Sequence, residues 1–181
     1  MIQPAAKLTK ADRYRYKAAL VAALAQNGGD FHVMAQLPVG RSRAALADAL
    51  YAWVARVDRY YLGRSWSASH HRAERMRGVV FFETSGGNDH AHLVVTAPAT
   101  AAPLHFLLHA RYLFQVHPVQ SLRAVYGRSV TRRGSMRVWR IGETGDDRER
   151  VLNYVAKGLE VSLDRCEWKF LDQLAPMQAG G

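Results

Sequence analysis

GVVFFETSGGNDHAHLVVTA, residues 78–97, reads as two strands folded back on one another. GVVFFE (78–83) is an apolar run of strand length, SGGN (85–88) is turn chemistry, and HAHLVVTA (90–97) is the returning partner. Residues two apart on a strand point to the same face, so His90 and His92 project side by side. With SGGN as the turn, Glu83 falls opposite His90 and on that same face. Two imidazoles and a carboxylate then converge, a nitrogen and oxygen donor set that suits Mn²⁺, Mg²⁺, Zn²⁺ or Ni²⁺. A histidine pair on a strand also occurs as half-exposed polar residues, and the glutamate's register separates the two readings.

Around this hairpin the chain alternates helices and strands. LTKADRYRYKAALVAALAQ (8–26) reads as a helix with Thr9 as N-cap and Asn27-Gly28-Gly29 as its stop. FHVMAQLP (31–38) is a strand ended by its proline. Ser42 caps a helix over about 43–62, whose Leu46, Leu50, Trp53, Val54, Val57 and Tyr61 recur at helical spacing. Residues 63–77 form a positively charged loop. A helix follows Pro103 through LHFLLHARYLFQVH (104–117). RAVYGRSV (123–130) and SMRVWRI (135–141) are two further strand candidates, DDRERVLNYVAKGLE (146–160) is helical, and the tail from 161 packs back on the core. This order predicts an α+β domain, one antiparallel sheet with helices mainly on one face and the other face open to a ligand. The whole chain, 1–181, reads as a single domain with a core over about 31–160.

The totals narrow the partner class. An apolar fraction of 49% with 22% charged residues is that of a globular chain. Lys and Arg number 25 against 15 Asp and Glu, a net charge of +10 that favours a polyanion, nucleic acid first. Most of the positive charge is arginine, whose planar fork suits phosphate. The single cysteine, Cys166, excludes an internal disulfide and a cysteine metal cluster. AALVAALA (18–25) is too short and too late for a signal peptide, and no run approaches the ~20 apolar residues of a membrane span. A cytoplasmic protein without a membrane partner is expected.

In NYVAKG (153–158), Tyr154 and Lys157 are three apart and face the same way on a helix. A tyrosine hydroxyl is a weak nucleophile at neutral pH because phenols keep their proton to about pH 10. A metal polarising the phosphate under attack, with a cation nearby, makes such an attack feasible. Alone, a tyrosine and a lysine at this spacing are commonplace; their place after the histidine pair is what distinguishes them.

In that order the chain resembles the HUH endonucleases, in the single-tyrosine branch that includes rolling-circle replication initiators. FHVMAQLP stands where that family has a hydrophobic strand motif, HAH where it has His-hydrophobic-His, and YVAK where it has Tyr-x-x-Lys. The resemblance implies an RRM-like or ferredoxin-like antiparallel sheet and a divalent metal, Mn²⁺ or Mg²⁺ first, on His90, His92 and Glu83. It implies Tyr154 as nucleophile on single-stranded DNA or an origin hairpin, Lys157 as auxiliary cation, and a 5′-phosphotyrosine link that starts replication of a plasmid or phage. The first motif lacks the threonines often found there, which leaves its DNA contacts open. No GxxxxGK[ST] is present, so unwinding is expected from a separate helicase, and no small-molecule cofactor is implied.

Arg64, Trp66, Arg72, Arg75 and Arg77 are candidates for holding the DNA through phosphate contacts and stacking, with Arg128, Arg132 and Arg133 as a second region. The same residues also fit a loop anchor and a solvated face. Two alternatives stand beside the nickase: a transposase of small mobile elements, with the same chemistry, and a non-catalytic RRM-like nucleic-acid binder. A phosphoesterase with paired His-x-Thr motifs is discounted, because no second motif appears. His32 reads as structural, His70 and His71 as solvated residues of the basic loop, and His105, His109 and His117 as helix-surface or core-edge residues.

Overall fold

Three side-chain caps set the helix starts in the computed structural model, which describes residues 9–26, 28–85, 87–115, 134–142, 144–161 and 167–174. The Thr9 hydroxyl accepts the Asp12 amide at 3.2 Å while the Asp12 carboxylate accepts the Thr9 amide, and α1 runs Lys10–Gln26. Ser42 accepts the Ala45 amide ahead of α2 (Arg43–Leu62), which Gly63 ends at a φ of 79° that a side chain would resist. Thr144 accepts the Asp147 amide ahead of α4 (Gly145–Val155).

The strands β1 (Phe31–Gln36), β2 (Arg77–Ser85), β3 (Asn88–Thr96), β4 (Ser135–Arg140) and β5 (Glu167–Phe170) form one sheet in the order β4-β1-β3-β2-β5. Every pairing is antiparallel. With α2 between β1 and β2, and α3 (Pro103–Gln115) between β3 and β4, the core is the split βαββαβ unit of ferredoxin-like folds. The α+β expectation is met, and α1, α4, the short α5 (Gly158–Val161) and β5 are additions to that unit. β5 lies along β2, so the tail does pack back on the core. The strand expected over 123–130 falls outside the described residues.

Both crossover helices lie on one face. Phe31, Val33 and Ala35 of β1, Val80 and Phe82 of β2, Leu93 and Val95 of β3 and Met136 of β4 pack there against Leu46, Leu50 and Trp53 of α2 and Phe106 and Ala110 of α3. The Trp53 indole donates to the Ala110 carbonyl at 2.9 Å, pinning α2 to α3. The second face is not open along its whole length. Val79, Phe81 and Val94 are covered by Val21 and Leu24 of α1 and by Leu152, Val155 and Leu159 of α4 and α5. The reason is legible in β2: VVFF is apolar on both faces, and such a strand needs cover on both. From Phe81 onward the second face turns polar: the pleat alternation places His92 opposite Phe81, and Glu83 and His90 one step further on.

Candidate active site

Glu83 pairs with His90, and Phe81 with His92, across the β2–β3 hairpin. The ladder runs on to Ser85 opposite Asn88, so the turn is tighter than SGGN while the register at Glu83 is the one the sequence implies. One donor atom from each of Glu83, His90 and His92 lies within 4.8 Å of the others. His90 Nε2 is 3.5 Å from Glu83 Oε2, and Glu83 Oε1 is buried without a hydrogen-bond partner. A buried carboxylate oxygen left unpaired is costly, and a cation placed among these donors satisfies it. The donor set thus fits a divalent ion.

His92 is only 3% exposed. Burial first, then the neighbouring His32, His90 and Lys157, push its pKa down to about 4, so the ring is neutral near physiological pH. Its Nδ1 lies 3.1 Å from Nε2 of His32. For His92 to offer Nε2 to a cation, its proton sits on Nδ1 and His32 accepts it. Burial also holds the His32 pKa below its ordinary value, which keeps that ring neutral and able to accept. His32 reaches this place because it pairs with Val94 on β3, putting it on the face that bears the other two histidines.

Tyr154 sits in the last turn of α4, 52% exposed, with its ring edge-on to His92 (centroids 5.7 Å apart) and to His32 (6.2 Å). The helix does not continue to Lys157 as expected: the chain turns at Ala156–Lys157 before Gly158 starts α5. Lys157 nevertheless meets the tyrosine, its Nζ 4.3 Å from the ring centroid and 4.0 Å from Glu83 Oε2. Five residues that are scattered over the sequence or split between two motifs thus share one end of the sheet's second face.

The arginine group lies elsewhere. Trp66, Arg72, Arg75 and Arg77 line a cavity of about 770 Å³ with Asp58, Gly78, Val94 and Thr96. Val94 is two residues from His92 along β3, so the cavity begins about 7 Å from the histidines, but Arg77 is six residues from Glu83 along β2, about 20 Å away. Arg75 donates to the Trp66 and Ala68 carbonyls at 2.9 Å each and lies over the Trp66 ring, holding its loop. Asp58 accepts the Met76 amide at 2.8 Å; burial raises its pKa to about 6 against the lowering effects of that bond and of Arg75. Arg64 is exposed at the start of the same loop, and Arg128, Arg132 and Arg133 fall outside the described residues.

Comparison with family models, with curated proteins and with solved structures gives no match. Two members of the site escaped the sequence reading. The sequence reads His32 as structural, although FHVMAQ alternates so that His32 lies on the face opposite the apolar Phe31, Val33 and Ala35. Trp139 of β4 pairs with His32 and stacks on it, centroids 5.1 Å apart and planes 23° off parallel.

Proposed function

We propose that this protein is a metal-dependent, single-tyrosine endonuclease that nicks and rejoins single-stranded DNA to start rolling-circle replication of a plasmid or phage. The observation that supports it is the convergence of Glu83, His90 and His92 with Tyr154 and Lys157 at one end of one sheet face. A metal cradle alone fits many roles, and so does an exposed tyrosine. Together they fit transfer of a phosphoryl group to a phenol.

A divalent cation held by Glu83, His90 and His92, Mn²⁺ or Mg²⁺ first, supplies Lewis acidity at a non-bridging phosphate oxygen when bound. The Tyr154 oxygen bonds to phosphorus as the bond from phosphorus to the 3′ oxygen breaks. The phenol loses its proton, and the departing oxygen takes one up to become a free 3′-hydroxyl. One phosphate ester replaces another, so the 5′-phosphotyrosine link retains the means to rejoin the strands. The Lys157 ammonium, beside the tyrosine ring, stabilises negative charge that develops on the phenol oxygen. Exposure of Tyr154 leaves room for a strand to reach it. A separate helicase supplies the single strand, and the net charge of +10 draws the DNA in.

The test is covalent capture. Single-stranded oligonucleotides tiled across the replicon that encodes the protein are mixed with it in Mn²⁺ or EDTA and run on a denaturing gel. A shifted band is expected that needs the metal and is lost in Tyr154→Phe. Oligonucleotides that bind yet never couple would overturn the nickase and leave a binding module.

A further inference from the structure

Trp139 stands out among the aromatic residues near the site. All four tryptophans are described; Trp53 is in the core, Trp66 and Trp168 are partly buried, and Trp139 alone is exposed, at 42%. Ser135, Arg137 and Trp139 share the second face of β4, because Arg137 pairs with Met34 and Trp139 with His32, and those residues flank His92 across β1 and β3. Arg137 is also exposed. β4 is the edge of the sheet on this side.

The rings form a row. Trp139 stacks on His32 at 5.1 Å, His32 stacks on His92 at 5.4 Å, and His32 meets the edge of Tyr154 at 6.2 Å. An indole held flat on one side by an imidazole and open to solvent over two-fifths of its surface is a rigid platform with little entropy left to lose. Aromatic side chains of this kind hold single strands because every base has a π-face. The guanidinium of Arg137, two residues away on the same face and so about 7 Å along the strand, lies at the reach of a neighbouring phosphate.

We infer that Trp139 and Arg137 form a nucleotide subsite on β4, in which Trp139 stacks an unpaired base next to the phosphate that Tyr154 attacks and Arg137 holds an adjoining phosphate. This rests on the nickase reading for its ligand, single-stranded DNA, and adds where on the protein that strand lies. It also places the strand across β4 and β1, away from the cavity lined by Arg72, Arg75 and Arg77.

The experiment is reversible binding in a Tyr154→Phe background, with a fluorescent oligonucleotide that the wild type couples, or oligo-dT if none couples. Trp139→Ala is expected to weaken binding roughly 10- to 100-fold, the loss of one stacked base, while Trp139→Phe keeps most of it. Trp139→Leu, which fills the place of the ring over His32 but cannot stack, should bind as poorly as alanine; it stands in if the alanine variant unfolds. One position of the oligonucleotide, made abasic, should cost the wild type a similar factor and cost Trp139→Ala nothing further. Arg137→Gln should lower the slope of log affinity against log salt by about 1. Binding within twofold of wild type in both Trp139→Ala and Trp139→Leu overturns the subsite, as does an abasic scan in which every position adds to the mutation. Because binding needs neither cleavage nor metal, coupling without a Trp139 effect sinks the subsite alone. A Trp139 effect without coupling sinks the nickase alone.

Discussion

Replacing His32 by phenylalanine keeps a flat ring between Trp139 and His92 but removes the nitrogen that faces His92 Nδ1 at 3.1 Å. Because His92 is 3% exposed, water does not take over the lost hydrogen bond. A buried polar group left without its partner costs about 1–3 kcal/mol. In a chain of this length each kcal/mol lowers Tm by about 2–4 °C. The larger effect is on metal. Without an acceptor at His32 nothing holds the His92 proton on Nδ1, and Nε2 loses its standing as the free lone pair; outer partners of this kind are worth about 10–100-fold in metal affinity. Mn²⁺ titration by calorimetry reads this directly, with no DNA present. His32→Gln returns an acceptor oxygen and should recover most of the affinity. If His32→Phe binds Mn²⁺ as tightly as wild type, or if His32→Gln is as weak as His32→Phe, the orienting role is wrong and His32 only packs.

Two further outcomes are expected. Lys157→Ala should slow covalent capture in single-turnover experiments by about 100-fold, with Lys157→Arg intermediate; an unchanged rate would remove the lysine from the chemistry. Asp58 tests the cavity end of the fold. Its folded pKa of about 6 lies above the ordinary 3.8, so the folded chain holds the proton more tightly between those values. Stability therefore falls as pH rises through that window and stays lower above it, by about 3 kcal/mol in all. Asp58→Asn can still accept the Met76 amide, and it should raise Tm at pH 7.5 clearly more than at pH 4; equal gains at both would show that burial of the charge is not what the substitution relieves.

The hairpin and its three candidate ligands were legible because both signals are local. A two-residue period and a glycine turn put Glu83, His90 and His92 on one face within ten residues of chain. The starts of α1 and α2 were equally local, since Thr9 and Ser42 act within a turn of where they stand. What escaped depends on register between distant segments. Nothing in FHVMAQ says that His32 will lie opposite Val94, beside His92, or in SMRVWRI that Trp139 will stack on His32. Those contacts follow from how two crossovers close the sheet. The break at Ala156–Lys157 was hidden for another reason: the apolar spacing of Leu152, Val155, Ala156 and Leu159 carries on across it, as the shared core beneath them requires.

The cover of the second face has a consequence for the order in which the molecule is made. Val21 and Leu24 near the start of the chain pack with Leu152, Val155 and Leu159 near its other end. Loop closure over so long a stretch is slow, and the βαββαβ unit has its own core to condense around first. On a ribosome, Phe81 and Val94 would wait with only α1 to cover them until α4 emerges, a surface that invites chaperones or aggregation. Glu83, His90 and His92 are all made by residue 92, whereas Tyr154 docks only in the final stage of folding. On the proposed nickase function, a chain released early would carry the cradle for a metal and have nothing with which to cut.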